Sequence, residues 1–411
     1  MRILLINHYA GSVYHGMEFR PYYMSREWVK MGHDVTIVAA SFSHLRQKNI
    51  DMEEPIKEEY IDGIRYVWLK TPAYHGNGIG RIKNMLSFLR KLYKFEKVIN
   101  KDLDPDVVIA SSTYPLDSYP ANWMAKKHKA KFVFELHDLW PMSPMVLVNM
   151  SKWHPFIMVM QKAEDYWCRN ADLVVSLLPD AYKHLVTRGM TMDKYVVIPN
   201  GISPDEWGEQ KEDIPNEHAS VLNKLKHENK FIVAYLGGFV ESSNLLALVD
   251  VAQKIKDNEK IHFVLIGKGP EKEKLINSIE EKKLTNITIL SYVPKKSVPE
   301  LLRRMDLLLR IAAASKLEEF GASPNKIFDY MMSSKPILWN YSSEKNLISD
   351  ACCGFTIKDF SVDTMADKIL EISEIEKEKL QTLGNNGHDF VIKNFTYSSM
   401  AKKFINSLQG M

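Results

Sequence analysis

The stretch EEFGASPNKIFDYMMSSKPIL, residues 318–338, joins an acidic pair and a glycine to a Ser-Pro sequence, a short amphipathic run and an apolar segment. Ser323 is a favourable N-cap residue and Pro324 fits the first position of a helix, so a helix is predicted to begin here. The apolar segment KPILW (335–339) predicts a buried strand. A helix that leads directly into a buried strand is the repeating unit of an α/β fold.

The same alternation runs through the rest of the chain. Short apolar runs rich in β-branched residues alternate with segments of helical spacing, which is typical of a parallel sheet buried on both faces. The predicted strands are 2–7, 34–40, 64–69, 105–110, 131–136, 172–177, 194–199, 231–237, 261–267, 287–290, 306–311, 335–339 and 354–357.

The polar stretch 203–220 has no periodicity and interrupts this rhythm. The sequence therefore predicts an α/β protein with two doubly wound Rossmann-like domains, residues 1–205 and 206–411, facing each other across a ligand cleft. The last helix, about 396–411, is predicted to pack back on the first domain.

The composition is that of an ordinary globular protein. Of 411 residues, 45% are hydrophobic and 26% charged, and 54 Lys and Arg nearly balance 51 Asp and Glu for a net charge of +3. This balance gives no reason to expect a nucleic-acid partner. Three cysteines cannot form a disulfide framework, and the sequence has no Cys/His cluster with zinc spacing. Without a signal peptide or a long apolar run, we expect a cytoplasmic protein with no membrane span.

The loop after the first strand is one candidate ligand-binding segment. Gly11 and Gly16 permit close approach of a ligand to the backbone, and a helix predicted to begin near Met17 would direct its N–H groups at that ligand. Arg20 is the cation of this segment. An ordinary strand–helix connection explains the glycines equally well, and no G-x-G-x-x-G dinucleotide fingerprint is present.

His137 and Asp138 directly follow the predicted strand 131–136. An imidazole at the end of a buried strand can bond a hydroxyl group or polarise a leaving group. A structural His-Asp pair is the alternative interpretation.

The helix start at residues 323–326 is a third candidate. The N–H groups of a first helical turn carry a partial positive charge and bind phosphate readily. Asn325 and a solvent-exposed Lys326 would add donors, while Asp329 would accept hydrogen bonds from vicinal ribose hydroxyls. This combination suits a nucleoside diphosphate, whereas a merely well-capped helix is the alternative.

Two weaker patterns complete the set. Lys268 lies in GKGPEKEKL (267–275), which follows a strand and begins a helix, and it is a further candidate contact for a nucleotide. The segment DLD (102–104) is similar to a metal-binding Asp-x-Asp, but it precedes a strand instead of ending one. We interpret it as surface charge.

Several of these segments occur in an order that resembles the bacterial glycosyltransferases of family 4, which have the two-Rossmann architecture called GT-B. The matching segments are GHDVTIV (32–38), ELHDLWP (135–141), IPNGI (198–202), YLGGF (235–239), IGKGPEKEKL (266–275) and the stretch quoted first. The family resemblance implies retention of the anomeric configuration and no essential metal. SPNKIFDYM (323–331) resembles the branch that transfers amino sugars or deoxysugars during O-antigen or capsule assembly.

The resemblance also implies roles for individual residues. Glu319 matches the first of two family carboxylates, which contacts hydroxyls of the donor sugar, and Asp329 matches the second, which holds the ribose. The pair departs from the family pattern because the two residues are ten positions apart, not eight, and the second is an aspartate. His137 matches the family histidine near the donor sugar, and Gly11 and Gly16 match its first loop.

A larger departure concerns the phosphates. Relatives often carry a basic pair after the strand that here ends in Gly237 and Gly238, but GGFVESSNLLALV (237–249) contains no Lys or Arg. Lys326, Arg310 and Lys268 are the cations that we expect to replace this pair.

These observations predict a retaining, metal-independent glycosyltransferase without a cofactor. It would move an N-acetylated or deoxy sugar from a nucleoside diphosphate to a glycan or lipid-linked acceptor in cell-surface polysaccharide synthesis. UDP is the nucleotide that we favour. A sugar-nucleotide epimerase of GT-B fold and a catalytically silent GT-B binding subunit are the alternatives.

Residues 79–100 interleave Lys and Arg with apolar residues at helical spacing, and residues 146–160 add aromatic residues and methionines. They predict peripheral contact with an anionic membrane, such as the inner face of the plasma membrane. A basic helix packed on its own sheet is the alternative.

Overall fold

The computed structural model describes residues 1–16, 19–76, 78–208, 213–313, 315–343, 346–358 and 360–410. The chain divides into two compact units. Unit 1 comprises residues 1–200 and 397–411, and unit 2 comprises residues 201–396. The division after Asn200 lies slightly before the predicted boundary at residue 205.

Unit 1 contains an eight-stranded sheet. Its strands are β1 (Arg2–Ile6), β2 (Asp34–Ala40), β3 (Ile56–Ile61), β4 (Ile64–Leu69), β5 (Val107–Ala110), β6 (Lys131–Leu136), β7 (Leu173–Ser176) and β8 (Tyr195–Val197). The spatial order is β3-β4-β2-β1-β5-β6-β7-β8, and all neighbours are parallel except β3 and β4. The central strands β1, β5 and β6 are buried along almost their whole length, as expected for a sheet covered on both faces.

The antiparallel edge strand β3 is absent from the strands predicted from the sequence. Its sequence, IKEEYI, is largely polar and exposed, so it lacks the apolar run used to recognise the other strands. Asp62 and Gly63 both have positive φ, at 50° and 80°, and form the two-residue turn that joins β3 to β4. Charged side chains on such an edge oppose pairing with another chain.

Helices connect the strands of unit 1. They are α1 (Arg20–Lys30), α2 (Ile79–Lys94), α3 (Glu96–Ile99), α4 (Ser118–His128), α5 (Met142–Leu147), α6 (Pro155–Asn170) and α7 (Tyr182–Leu185). In α2 the residues Asn84, Met85, Phe88 and Leu92 are buried, so one face of this helix packs on unit 1.

Unit 2 contains a six-stranded sheet in which every neighbouring pair is parallel. Its strands are β9 (Phe231–Gly238), β10 (Ile261–Lys268), β11 (Ile287–Leu290), β12 (Leu307–Arg310), β13 (Ile337–Asn340) and β14 (Gly354–Ile357), in the order β11-β10-β9-β12-β13-β14. Its helices are α8 (Asn216–His227), α9 (Leu245–Lys254), α10 (Lys272–Glu281), α11 (Val298–Arg303), α12 (Asn325–Met332), α13 (Leu347–Ala351), α14 (Val362–Ser373) and α15 (Lys377–Asn394). The predicted α/β fold of two doubly wound sheets is confirmed.

The last helix, α16 (Tyr397–Gln409), follows unit 2 in sequence but packs on α1 in unit 1. The rings of Tyr23 and Tyr397 stack with centroids 4.7 Å apart, and the indole of Trp28 donates a hydrogen bond to the Ala401 carbonyl. Within the described ranges, no helix is both long enough and apolar enough to cross a bilayer.

Candidate functional site

The carboxyl edge of the unit 2 sheet brings together glycines and cations that the sequence analysis singled out. Gly237 and Gly238 end β9, Lys268 ends β10 and Arg310 ends β12. Because β9 lies between β10 and β12, these residues occupy three neighbouring strand ends. Open α/β sheets bind ligands at this edge.

Gly237 permits a close approach between β9 and the lysine of α12. Its φ is 154°, and a Cβ atom at this position would lie 2.5 Å from Lys326 Nζ. On β10, Gly267 has φ 159°, and a Cβ there would lie 1.9 Å from the Gly237 carbonyl oxygen. A side chain at Gly267 would therefore displace the backbone of β9, and one at Gly237 would collide with the Lys326 ammonium.

Lys326 is half-buried, which corrects the expectation of a solvent-exposed lysine. Its Nζ atom lies 4.1 Å from the centroid of the Tyr235 ring and donates a hydrogen bond of 2.8 Å to the Tyr235 hydroxyl. Burial, together with the neighbouring Arg310 charge, lowers the pKa of Lys326 to about 7. The side chain turns back from the first turn of α12 onto β9, so it faces a phenol instead of water.

Arg310 is the second cation of this cluster. Its Nη1 atom donates a 2.6 Å hydrogen bond to the Ile311 carbonyl, while its buried Nε atom has no partner among the described residues. Burial lowers the pKa of Arg310. In the described part of the chain, neither Arg310 nor Lys326 forms an ion pair with a carboxylate. Glu318 acts on Arg310 electrostatically, but neither cation is directly paired with a carboxylate among the described residues, and such partly desolvated cations favour binding of an anion.

The helix α12 begins one residue later than predicted. Pro324, with φ −72° and ψ 126°, is the N-cap residue, and Asn325 is the first helical residue. Ser323 is therefore not the N-cap, and no side-chain hydrogen bond caps this helix end. The extended ψ of Pro324 produces this shift. The N–H groups of the first turn remain directed out of the helix end, where they can bond an anion.

Asp329, the predicted ribose ligand, pairs with Lys295 in this structure. Lys295 Nζ lies 2.5 Å and 2.6 Å from the two carboxylate oxygens. This pairing orients the carboxylate without hydrogen-bonding all of its lone pairs, since each oxygen has two.

The remaining two predicted residues of unit 2 are more exposed. Glu319 lies in the 3₁₀ helix Lys316–Phe320 and is exposed. The ammonium of Lys268 lies 4.5 Å from the centroid of the Tyr292 ring, a cation–π contact that the sequence analysis did not foresee.

The glycine loop of unit 1 contacts other residues of the same unit. The Tyr66 hydroxyl donates a 2.9 Å hydrogen bond to the Gly11 carbonyl. Gly16 has φ 74°, and a Cβ there would lie 2.8 Å from Gln47 Cγ. Gly16 therefore has a structural reason as well as the predicted ligand role, whereas the carbonyl contact at Gly11 does not require a glycine. The predicted helix start near Met17 lies outside the described residues, and the described helix begins at Arg20.

His137 lies at the carboxyl edge of the unit 1 sheet within a buried polar network. Its Nε2 atom lies 3.0 Å from Ser111 Oγ and 3.3 Å from Glu135 Oε2. The Ser111 hydroxyl donates a 2.6 Å hydrogen bond to the same Glu135 oxygen. The adjacent Asp138 is exposed. A carboxylate and a hydroxyl therefore fix one face of the imidazole.

Arg20 belongs to this network, which corrects the expectation that it contacts substrate directly. Its side chain is 2% exposed, and its guanidinium donates to Glu135 Oε1 at 3.0 and 3.1 Å. It also donates to the carbonyls of Ile198 and Pro199. Burial alone would raise the pKa of Glu135, but the charges of Arg20 and His137 and the hydrogen bonds from His137 and Ser111 hold it well below its usual range.

The structure supports the interpretation of DLD as surface charge. Asp104 is 70% exposed and pairs with Arg2 at 3.1 Å. Among the residues described, no group of three or more His, Cys, Asp and Glu side chains is arranged to hold a metal ion.

Several partners in these sites were missed by the sequence analysis. Tyr235 was visible only as part of the YLGGF motif, and Lys295 as one of two adjacent lysines. Glu135 had a usable signal, because a charged residue inside an otherwise apolar strand requires a buried partner.

Two family models match most of the chain. The model described as "Glycosyl transferase 4-like domain" matches residues 15–201, and the model described as "Glycosyl transferases group 1" matches residues 220–390. The chain belongs to the family 4 glycosyltransferases of GT-B fold.

Individual relatives are distant. The chain is 24% identical over 195 residues to the poly(ribitol-phosphate) alpha-N-acetylglucosaminyltransferase of Staphylococcus aureus, a match that covers 45% of this chain and 37% of that protein. It is 20% identical over 311 residues to the GPI3 subunit of the phosphatidylinositol N-acetylglucosaminyltransferase of Saccharomyces cerevisiae, covering 74% of this chain and 61% of that one. The matches thus span less than two thirds of these relatives.

Among solved structures, HepE of Anabaena, crystallised with UDP and glucose, is similar along 100% of both chains with a TM-score of 0.69 and 14% identity. At this identity the likeness shows the fold.

Proposed function

We propose that the protein transfers a sugar from a nucleoside diphosphate to a glycan or lipid-linked glycan acceptor, with retention of anomeric configuration and without a metal. The observation that carries this proposal is the cation pair Lys326 and Arg310 at the carboxyl edge of the unit 2 sheet, next to the N-terminus of α12. A diphosphate supplies the negative charge that these groups lack within the chain.

The donor we favour is UDP-N-acetylglucosamine. Both relatives named above are N-acetylglucosaminyltransferases by name, and HepE was crystallised with UDP. Asp329 would bond the ribose hydroxyls and Glu319 the hydroxyls of the transferred sugar, as the family resemblance implies.

Such a transfer depends mainly on electrostatic stabilisation of the leaving diphosphate. The bond between the anomeric carbon and the phosphate oxygen breaks while the acceptor oxygen bonds the same face of the sugar, and the leaving diphosphate takes the acceptor proton. Negative charge grows on the diphosphate in the transition state, so a nearby cation and a helix N-terminus lower the barrier. Lys326, Arg310 and the first turn of α12 perform this role.

Calorimetry with UDP, followed by a transfer assay with UDP-N-acetylglucosamine, tests the proposal. Replacing Lys326 by Ala should weaken UDP binding or turnover by about ten- to hundredfold, because a charge-assisted hydrogen bond is worth roughly 1.5–3 kcal/mol. Lys256→Ala is the matched control, since Lys256 is exposed and lies after the C-terminal end of α9, away from the carboxyl edge. Equal UDP affinity in wild type and Lys326→Ala would contradict the assignment.

The two alternatives make different predictions in the same assays. An epimerase changes the nucleotide sugar without an acceptor, whereas a transferase requires one. A silent binding subunit binds no nucleoside diphosphate, and the unpaired cations argue against it.

We also propose that α2 contacts an anionic membrane. Besides its buried face, this helix has a second apolar stripe formed by the exposed residues Ile79, Ile82, Leu86 and Tyr93. Lys83, Arg90 and Lys94 lie beside this stripe at helical spacing. An exposed apolar stripe flanked by cations is the pattern of a helix that lies on an anionic leaflet. This surface would bring a lipid-linked acceptor to the protein.

A further inference from the structure

The turn between α5 and α6 exposes several large apolar side chains. Leu147 and Val148, at the end of α5, are 56% and 66% exposed, and Trp153, in the turn, is 72% exposed. Met158 and Val159, near the start of α6, are 44% and 51% exposed. We call these five side chains the turn surface. Single exposed apolar residues are common, but five within residues 147–159 indicate a surface that another apolar phase covers.

The backbone of this turn is held by hydrogen bonds. The Met150 N–H donates to the Pro144 carbonyl at 3.3 Å, and the His154 N–H donates to the Ser151 carbonyl at 2.9 Å. The Trp153 N–H donates to the Ser151 hydroxyl at 3.2 Å. Backbone groups that are bonded within the segment need no water, so they do not oppose entry of the turn into an apolar phase.

The charge around the turn surface suits an anionic lipid headgroup. Residues 139–163 contain two lysines, Lys152 and Lys162, and no Asp, Glu or Arg. The Lys152 ammonium lies 5.3 Å from the centroid of the Trp153 ring. Tryptophan beside lysine is typical of the boundary between acyl chains and headgroups, because the indole prefers the interface and the ammonium stays in water. The lack of carboxylates along the whole segment favours lipid phosphates over a protein surface of mixed charge as the partner.

The turn surface and α2 belong to one packed part of unit 1. Met85 of α2 and Met160 of α6 are buried in the same apolar cluster, and Leu89 and Phe156 pack against it. The ring of Phe156 lies 6.0 Å from that of Trp140. This shared core connects the turn to the helix that carries the cation-flanked apolar stripe, so a bilayer that meets α2 lies within reach of the turn.

We propose that the turn surface inserts its apolar side chains among the acyl chains of an anionic phospholipid bilayer, with Lys152 at the headgroup phosphates. This inference deepens the membrane contact proposed for α2 and rests on it. Attraction of charges on α2 weakens as salt screens it, whereas burial of apolar side chains among acyl chains does not. The turn surface therefore supplies the part of membrane binding that salt does not remove.

Tryptophan fluorescence with vesicles of phosphatidylglycerol and phosphatidylcholine that carry brominated acyl chains tests the insertion. Bromine quenches an indole that it contacts, so wild type should lose emission on binding and Trp153→Phe should lose much less. Trp123→Phe is the matched control, because Trp123 is also exposed, at 39%, but lies on α4. This control should be quenched like wild type. Equal quenching of wild type and Trp153→Phe would overturn the proposal.

Flotation of the same proteins separates insertion from charge attraction. In about 1 M salt, where charges are screened beyond roughly 3 Å, wild type should still bind vesicles. Replacing Leu147 and Val148 by Ser should lower vesicle affinity by about tenfold or more without changing Tm, since both side chains are exposed. Val186→Ser, at a valine that is 40% exposed elsewhere in unit 1, should bind like wild type.

Binding that disappears in high salt, or that the double Ser variant retains, would overturn insertion and leave α2 as the contact. A dimer of wild type that the double Ser variant cannot form, together with unquenched Trp153, would overturn it in favour of an interface between copies of the chain. If quenching of Trp153 persists when Lys83→Glu and Arg90→Glu are combined and flotation is unchanged, the α2 contact fails while insertion stands.

Discussion

Replacing Lys326 by methionine should make the ligand-free protein more stable and the nucleotide complex weaker. Methionine keeps the length and the apolar stem of lysine but removes the charge. In the structure that charge lies against the Tyr235 ring and beside Arg310, with no carboxylate partner among the described residues. A binding site that holds unpaired charge for a ligand is expected to reduce the stability of the free protein.

The size of the effect follows from the pKa of Lys326. Its fall from 10.5 to about 7 corresponds at pH 7 to a destabilisation of at most about 4 kcal/mol, since one pKa unit is worth roughly 1.4 kcal/mol. Residual solvent contact of the half-buried side chain reduces this figure, and the lost contact with Tyr235 subtracts about 1–2 kcal/mol. We therefore expect a net gain on the order of 1–2 kcal/mol, or a rise in Tm of about 2–8 °C for a unit of this size.

The gain should depend on pH with a definite sign. The unfolded lysine keeps its proton up to about pH 10.5, and the folded lysine only up to about pH 7. Between these values the unfolded state binds more protons, so the stability of wild type rises with pH through this side chain. Lys326→Met lacks this contribution. Its advantage over wild type should therefore be largest at pH 7 and below and should shrink towards pH 9.5.

Thermal unfolding of wild type, Lys326→Met and the exposed control Lys256→Met at pH 7 and pH 9.5 measures these differences. Calorimetry with UDP should show a ten- to hundredfold loss of affinity for Lys326→Met and no loss for the control. The reasoning is refuted if Lys326→Met is less stable than wild type at pH 7, or if its advantage grows with pH. Retained UDP affinity would show that Lys326 is not a phosphate ligand.

Three further outcomes are expected. Transfer activity should survive excess EDTA, because the phosphate charge is met by Lys326, Arg310 and a helix end; complete loss that Mn²⁺ or Mg²⁺ restores would contradict this. Wild type should float with anionic liposomes at low salt, and Lys83→Glu with Arg90→Glu should not, whereas equal flotation would exclude α2 as the contact. Wild type should bind UDP about tenfold or more tightly than 2′,3′-dideoxy-UDP, and Asp329→Ala should lose this preference; a variant that keeps it would show that Asp329 does not hold the ribose.

The strands were the most predictable part of the fold. Each predicted apolar run corresponds to a strand of one of the two sheets, because a buried parallel strand needs apolar residues on both faces. The search for apolar runs did not identify the edge strand β3, since one of its faces meets solvent and its sequence is polar. The Asp62-Gly63 turn was the available signal for this hairpin.

The candidate sites were predictable as positions but not as contacts. Strand ends can be located from apolar runs, so Gly237, Arg310 and His137 were found at the carboxyl edges of their sheets. The partner of a side chain at such an edge depends on distant parts of the chain. Lys326 bonds Tyr235, 91 residues away, and Arg20 bonds Glu135, 115 residues away. A local sequence pattern does not indicate which residue so far along the chain will be the partner.

The two sheet edges show why burial of a cation does not by itself identify a ligand site. Arg20 is almost fully buried, yet it pairs with Glu135 and two carbonyls, so its charge is compensated within unit 1. Arg310 and Lys326 are half-buried and lack a carboxylate ion-pair partner among the described residues. Truncating a compensated buried cation leaves its carboxylate unpaired, which costs about 3–5 kcal/mol, whereas removing an uncompensated one relieves a cost. Opposite signs of the stability change at Arg20 and Lys326 therefore separate a structural cation from one that is kept for an anionic ligand.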